Sequence, residues 1–177
     1  MAEPAWIFAY GSLMWDPGFE PAERVRARLG GFRRAFCMWS IRWRGTDEAP
    51  GLVLALDEEA GASCEGMAIR PRPEEGEAVL AAVRARELVS DAYEERVLPV
   101  ALADGRAVEA LAYVIRRGHP QHARVPPEEQ ARIIARARGL RGPNLDYLAS
   151  CVAHLEEEGI AEPELATLLD RARGEGR

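Results

Sequence analysis

The sequence predicts an α+β fold: a small, mixed, barrel-like β-sheet with flanking helices, in a single domain. Three observations lead there. Strand-like segments cluster early and helical ones late. One helical stretch alone separates the strands. Paired glycines interrupt the longest strand pattern, as a sheet needs where it curls. At 177 residues the chain suits one domain, read as 1–177 with its core over 5–170.

The elements follow in order. Trp6 to Tyr10 is a short buried strand that breaks at Gly11-Ser12, with loop as far as Pro21. Arg26 to Trp43 is extended and aromatic-rich, with a bulge or bend expected at Gly30-Gly31. Gly51 to Leu56 and Cys64 to Arg70 read as two strands, with Asp57 to Ser63 as the hairpin loop between them. From Pro73 to Arg86 the period changes: Val79, Leu80 and Val83 share a helical face, with acidic residues first and arginines last. Tyr93 to Leu102 and Val108 to Ile115 pair across Asp104-Gly105. After a loop over Gly118 to Val125, helices are expected at Pro127 to Arg138, Pro143 to Glu158 and Glu162 to Arg173. Gly139 and Gly159 stand as the stops of the first two.

Composition limits the chemistry. The net charge of -6 argues against a nucleic-acid partner. No segment approaches the roughly 20 apolar residues of a membrane span. Met1-Ala2-Glu3-Pro4 carries no basic leader, and Cys37, Cys64 and Cys151 lack paired spacing, so a reducing, cytoplasmic setting is expected. All 23 basic residues are arginine, which removes Schiff-base lysine chemistry. No metal and no cofactor is called for: His119 and His122 flank a proline in a loop and read as solvated, and His154 reads as a helix-surface residue.

Two places hold candidate chemistry. At Tyr10-Gly11-Ser12-Leu13 a glycine with positive φ would turn the chain, and successive N–H groups could form an anion nest; an ordinary strand-to-loop turn fits the same spacing. Glu87 lies between helix and strand beside Leu88 and Val89. There it is either a carboxylate raised in pKa by burial or a surface glutamate at a helix end.

Trp6-Ile7-Phe8-Ala9-Tyr10-Gly11-Ser12-Leu13-Met14-Trp15 resembles the opening motif of the ChaC family of glutathione-specific γ-glutamylcyclotransferases. The likeness continues through Arg33-Arg34-Ala35-Phe36, then Ser40 with Arg44-Gly45-Thr46, then Pro50-Gly51-Leu52-Val53-Leu54. Arg86-Glu87 with Tyr93, Gly118-His119-Pro120-Gln121 and Gly142-Pro143-Asn144-Leu145-Asp146-Tyr147-Leu148 complete the series, in order and over nearly the whole chain. The resemblance implies a barrel-like sheet with peripheral helices and no cofactor. It implies substrate binding by Ile7, Phe8, Ala9, Tyr10, Gly11, Ser12 and Leu13, with Glu87 as the catalytic acid/base. Ala9 stands where the family usually has glycine, a one-methyl change with which activity should survive. Leu88 to Ala92 differs from the shorter glycine-rich turn of some relatives.

The reaction so implied is cleavage of glutathione to 5-oxoproline and Cys-Gly, the α-amine of the γ-glutamyl residue attacking its own γ-carbonyl. Other γ-glutamyl amino acids or amines as substrate, and a non-catalytic regulatory binding protein, are the alternatives. Tyr147 is expected to be a buried helix residue with a bonded hydroxyl.

Overall fold

The computed structural model describes residues 5–176; Met1–Pro4, read above for a leader, and Arg177 lie outside the described residues. Five strands close into a barrel in the order β1-β3-β2-β4-β5. They are β1 (Trp6–Ala9), β2 (Glu23–Ser40), β3 (Gly51–Arg70), β4 (Tyr93–Leu102) and β5 (Ala107–Ile115). The helices are α1 (Gly76–Glu87), α2 (Pro127–Arg136), α3 (Asn144–Glu157) and α4 (Pro163–Glu175). A two-stranded ribbon, β6 (Arg138–Gly139) with β7 (Gly142–Pro143), precedes α3. The mixed barrel with helices is the expected α+β class.

Contacts divide the chain into two compact units. One comprises the chain up to Arg34 with Leu56–Arg117, the other Ala35–Ala55 with the chain from Gly118 onward.

The first unit is built on period-two burial. Trp6, Phe8 and Tyr10, Ala27 and Leu29, Val100 and Leu102, and Ala110, Ala112 and Val114 point the same way along their strands and share one apolar core. β1 pairs antiparallel with the end of β3 (Ile7 opposite Ile69) and parallel with β5 (Ile7 opposite Leu111). Yet β3 at Leu56 runs parallel to β5, opposite Val114. The direction of β3 therefore turns over between Leu56 and Met67.

Sequence reading placed two strands and a loop at Asp57 to Ser63; the structure has one unbroken 20-residue strand that bends there. Residues 58–61 are exposed, and Gly61 takes φ 82°. One left-handed residue changes the direction of a ladder without a loop, because its neighbours stay extended. β4 and β5 form the expected hairpin, in register from Tyr93 opposite Ile115 to Ala101 opposite Ala107. α1 buries Val79, Leu80 and Val83, as its period requires.

In the second unit α4 packs on α2 and α3. α3 stops in a Schellman arrangement: Ile160 N–H bonds Leu155 C=O at 2.9 Å and Gly159 N–H bonds Glu156 C=O at 2.9 Å. Gly139 is not the stop of α2, which ends at Arg136. A Cβ there would lie 2.4 Å from the carbonyl carbon of Trp43, so Gly139 is required by close approach of two main chains. That approach lets Leu140 and Arg141 donate to Arg42 C=O and Trp43 C=O, each at 2.9 Å.

Asn144, fully buried, acts as a strand partner for Leu52. Its Oδ1 accepts Leu52 N–H at 2.7 Å, and its Nδ2 donates to Leu52 C=O at 2.8 Å. Tyr147 is half-buried, its hydroxyl accepting Leu54 N–H at 3.3 Å, which bears out its bonded hydroxyl. His119 and His122 are half-buried and not the solvated pair expected. His119 Nδ1 accepts Gln121 N–H, and His122 bridges to Met38, because the loop is held as an added rung on β2. His154 is half-buried too, on α3 beside Glu157.

Asn144→Ala leaves a buried N–H and a buried C=O of Leu52 unpaired, each worth about 1–3 kcal/mol. Urea unfolding of the variant is expected to show a loss of about 3 kcal/mol or more. A loss under about 1 kcal/mol would show that Leu52 finds other partners.

Candidate functional site

Glu87 is the last residue of α1. Its side chain is 17% exposed. Arg86 Nε lies 3.3 Å from its Oε1. Burial raises the Glu87 pKa above the ordinary glutamate value of 4.5, and the Arg86 charge opposes that rise without cancelling it. Position adds to the effect, since a carboxylate in the last helical turn faces the negative end of the helix dipole.

The turn after β1 is held to this helix end. Ser12–Met14 forms a 3-10 turn, with Met14 N–H on Gly11 C=O at 2.9 Å and Asp16 N–H on Ser12 C=O at 2.7 Å. Arg86 Nη2 donates to Ser12 Oγ at 2.7 Å and Nη1 to Asp16 C=O at 2.6 Å. Gly11 does not have the positive φ expected of it; its φ is -136°, and the turn is made by the 3-10 bonds that follow. Ser12 and Glu87, 75 positions apart in the chain (87 less 12), thus share one arginine.

A second network borders the same helix end. Arg84 grips Glu95 of β4 with Nε and Nη2, at 2.9 Å from Oε2 and Oε1 respectively, and holds its carboxyl below the usual range. Tyr113 of β5 donates its hydroxyl to Glu95 Oε2 at 2.9 Å. Burial raises the Tyr113 pKa first, the Glu95 bond next, and the charge of Glu87 adds to both. Tyr10 joins this side: its hydroxyl donates to Tyr113 C=O at 2.9 Å, while its own C=O accepts Arg34 Nε at 2.6 Å.

The structure sorts the candidate residues. Ile7, Phe8 and Ala9 have no exposed surface, and Tyr10 and Leu13 are buried too. Within the motif Ser12 alone is half-exposed. The motif side chains therefore hold β1 in place, and the turn after them offers Ser12 and its neighbouring N–H groups. Arg84, Glu95 and Tyr113 are not among the residues that the sequence singles out, and Arg86 enters there through the family likeness alone. The Arg84-Ala85-Arg86-Glu87 run was the available signal, because alternate positions at a helix end point to different neighbours.

The family described as ChaC-like protein matches residues 5–174. The chain is 36% identical over 167 residues to an Escherichia coli K12 protein named glutathione-specific γ-glutamylcyclotransferase, covering 94% of this chain and 71% of that one. It is 33% identical over 170 residues to the Homo sapiens glutathione-specific γ-glutamylcyclotransferase 1, covering 93% and 77%. In fold it is similar to a crystal structure of a γ-glutamyl cyclotransferase specific to glutathione from yeast. There the TM-score is 0.85 at 21% identity, over 98% of this chain and 97% of that one.

The raised pKa of Glu87 sets a dependence of stability on pH. Below 4.5 the carboxyl is protonated whether folded or not and costs nothing. As pH rises through the higher folded value, the unfolded state ionises more readily and stability is lost. Glu87→Gln removes that loss. In thermal unfolding the variant should melt above the wild type at about pH 8 and together with it below about pH 4. Equal melting temperatures throughout would mean Glu87 is not desolvated.

Proposed function

The chain belongs to the ChaC-like family, and on that premise we propose that it is a γ-glutamylcyclotransferase cleaving glutathione to 5-oxoproline and Cys-Gly. The observation that carries this reading is Glu87, a desolvated carboxylate of raised pKa joined through Arg86 to the turn after β1.

The chemistry needs little machinery. Nucleophile and electrophile lie on one residue of the substrate, so proximity is built in and the protein must hold the cyclising rotamer. The α-ammonium cannot attack until it loses a proton, and Glu87 takes it. The amine nitrogen then bonds to the γ-carbonyl carbon, closing a five-membered lactam. The bond from that carbon to the cysteinyl nitrogen breaks and Glu87 returns the proton to the departing amine, while the second proton still on the ring nitrogen passes to that released amine, which leaves as an ammonium. A base whose pKa is lifted towards neutrality suits both transfers.

The N–H groups of Gly11, Ser12 and Leu13, at the start of the 3-10 turn, would take the substrate α-carboxylate. Buried Ile7, Phe8, Ala9 and Tyr10 would contribute by fixing where that turn lies. A small-molecule substrate, with neither nucleic acid nor membrane as partner, accords with the net charge of -6. Among the described residues no helix is long and apolar enough to cross a membrane. Cys37, Cys64 and Cys151, buried and in no disulfide, support a cytoplasmic setting.

The test is incubation of the purified protein with glutathione and, separately, γ-Glu-Ala, with 5-oxoproline followed by mass spectrometry. Wild type is expected to release 5-oxoproline and Cys-Gly from glutathione, and Glu87→Gln to be slower by about 10²–10⁴. Release from γ-Glu-Ala alone would move the substrate to other γ-glutamyl compounds. No release from either would favour a binding protein.

A further inference from the structure

Building on the cyclotransferase reading, we propose that Arg86 is a positioning residue, whose guanidinium holds the Ser12–Asp16 turn and Glu87 in one register. The substrate's carboxylate and its amine are then presented to the turn and to the base together.

Three contacts carry this. Nη2 meets Ser12 Oγ at 2.7 Å, Nη1 meets Asp16 C=O at 2.6 Å, and Nε faces Glu87 Oε1 at 3.3 Å. They use the three nitrogens of one planar fork, so the spacing of the three partners is set by a rigid group. As an ion pair alone, a side chain 35% exposed would contribute little. Its worth is geometric, since a displacement of about 1 Å between reacting groups can cost about a hundredfold in rate. The contact also orders a proton. Ser12 Oγ accepts from Arg86, so its own O–H is directed elsewhere and can donate to a substrate oxygen.

The other charged and titratable groups around the helix end have different partners. Arg84, on the same helix, is bidentate to Glu95 of β4, and Tyr113 of β5 donates to that carboxylate. Arg86 is the cation in direct contact with Glu87. Losing it removes the influence that opposes burial, so the base would titrate at higher pH.

Arg86→Gln and Arg86→Lys separate fork from charge. Glutathione turnover is measured across pH, and amide hydrogen exchange is followed over residues 11–16, with β5 amides as the folded reference. Arg86→Gln is expected to lower kcat/KM by about tenfold to a hundredfold. It should also move the acid limb of the profile up by about half a pH unit or more. Arg86→Lys should keep the limb in place while losing most of kcat/KM, because the charge remains and the fork does not. In both, amides 14–16 should exchange faster with β5 unchanged. An active wild type whose Arg86→Gln variant keeps its kcat/KM and its slow exchange overturns the role of Arg86 alone. A wild type inert towards every γ-glutamyl compound overturns the reading on which that role depends.

Discussion

A four-residue strand with no exposed face is the constraint on which the rest depends. β1 bonds to β3 on one edge and β5 on the other, and both its faces are buried. It cannot slip by one residue without exchanging Phe8 and Ile7 between environments. Close approach is built in: a Cβ on Gly66 would lie 2.3 Å from Ala9 C=O. Ala9, with its methyl in place of the family's usual glycine, is accommodated in full burial. The strand's end is thereby fixed, and so is the place where Gly11 and Ser12 leave the barrel.

Two glutamates a few residues apart show how local partners decide ionisation. Glu95 is held by both nitrogens of the Arg84 fork and by the Tyr113 hydroxyl, so its carboxyl stays charged and structural. Glu87 has the Arg86 guanidinium beside it, at 3.3 Å, and that guanidinium is shared with Ser12 and Asp16. Burial wins at Glu87 and loses at Glu95. Depth and hydrogen-bond count both separate them: Glu87 is set deeper among protein atoms, and Glu95 has the more bonds. One helix end thus borders one carboxylate held as an ionised anchor and carries another whose pKa is raised.

The second unit solves a different problem with the same economy. Ribbon β6–β7 lies against Arg42 and Trp43 so closely that Gly139 must lack a side chain. The chain then delivers Asn144, whose amide satisfies both main-chain groups of Leu52. Arg44 reaches back to Arg141 C=O and Pro143 C=O, so the segment before α3 is held from two directions.

The sequence by itself determined the α+β class, the β4–β5 hairpin, the face of α1 and the family. These follow from period, turn chemistry and ordered local motifs, each contained within a few residues. It also placed Glu87 at a helix end and left its character open. Tertiary structure decided the rest. A 20-residue strand was read as two because its exposed middle has the composition of a loop, and only its pairing keeps it extended. Gly139 looked like a helix stop because local spacing cannot reveal a second main chain lying 2.4 Å from where a Cβ would stand. Glu87 became a distinct carboxylate only through burial and through an arginine that also grips Ser12. Solvation and long-range contact are properties of the folded chain, and no run of neighbouring residues encodes them alone.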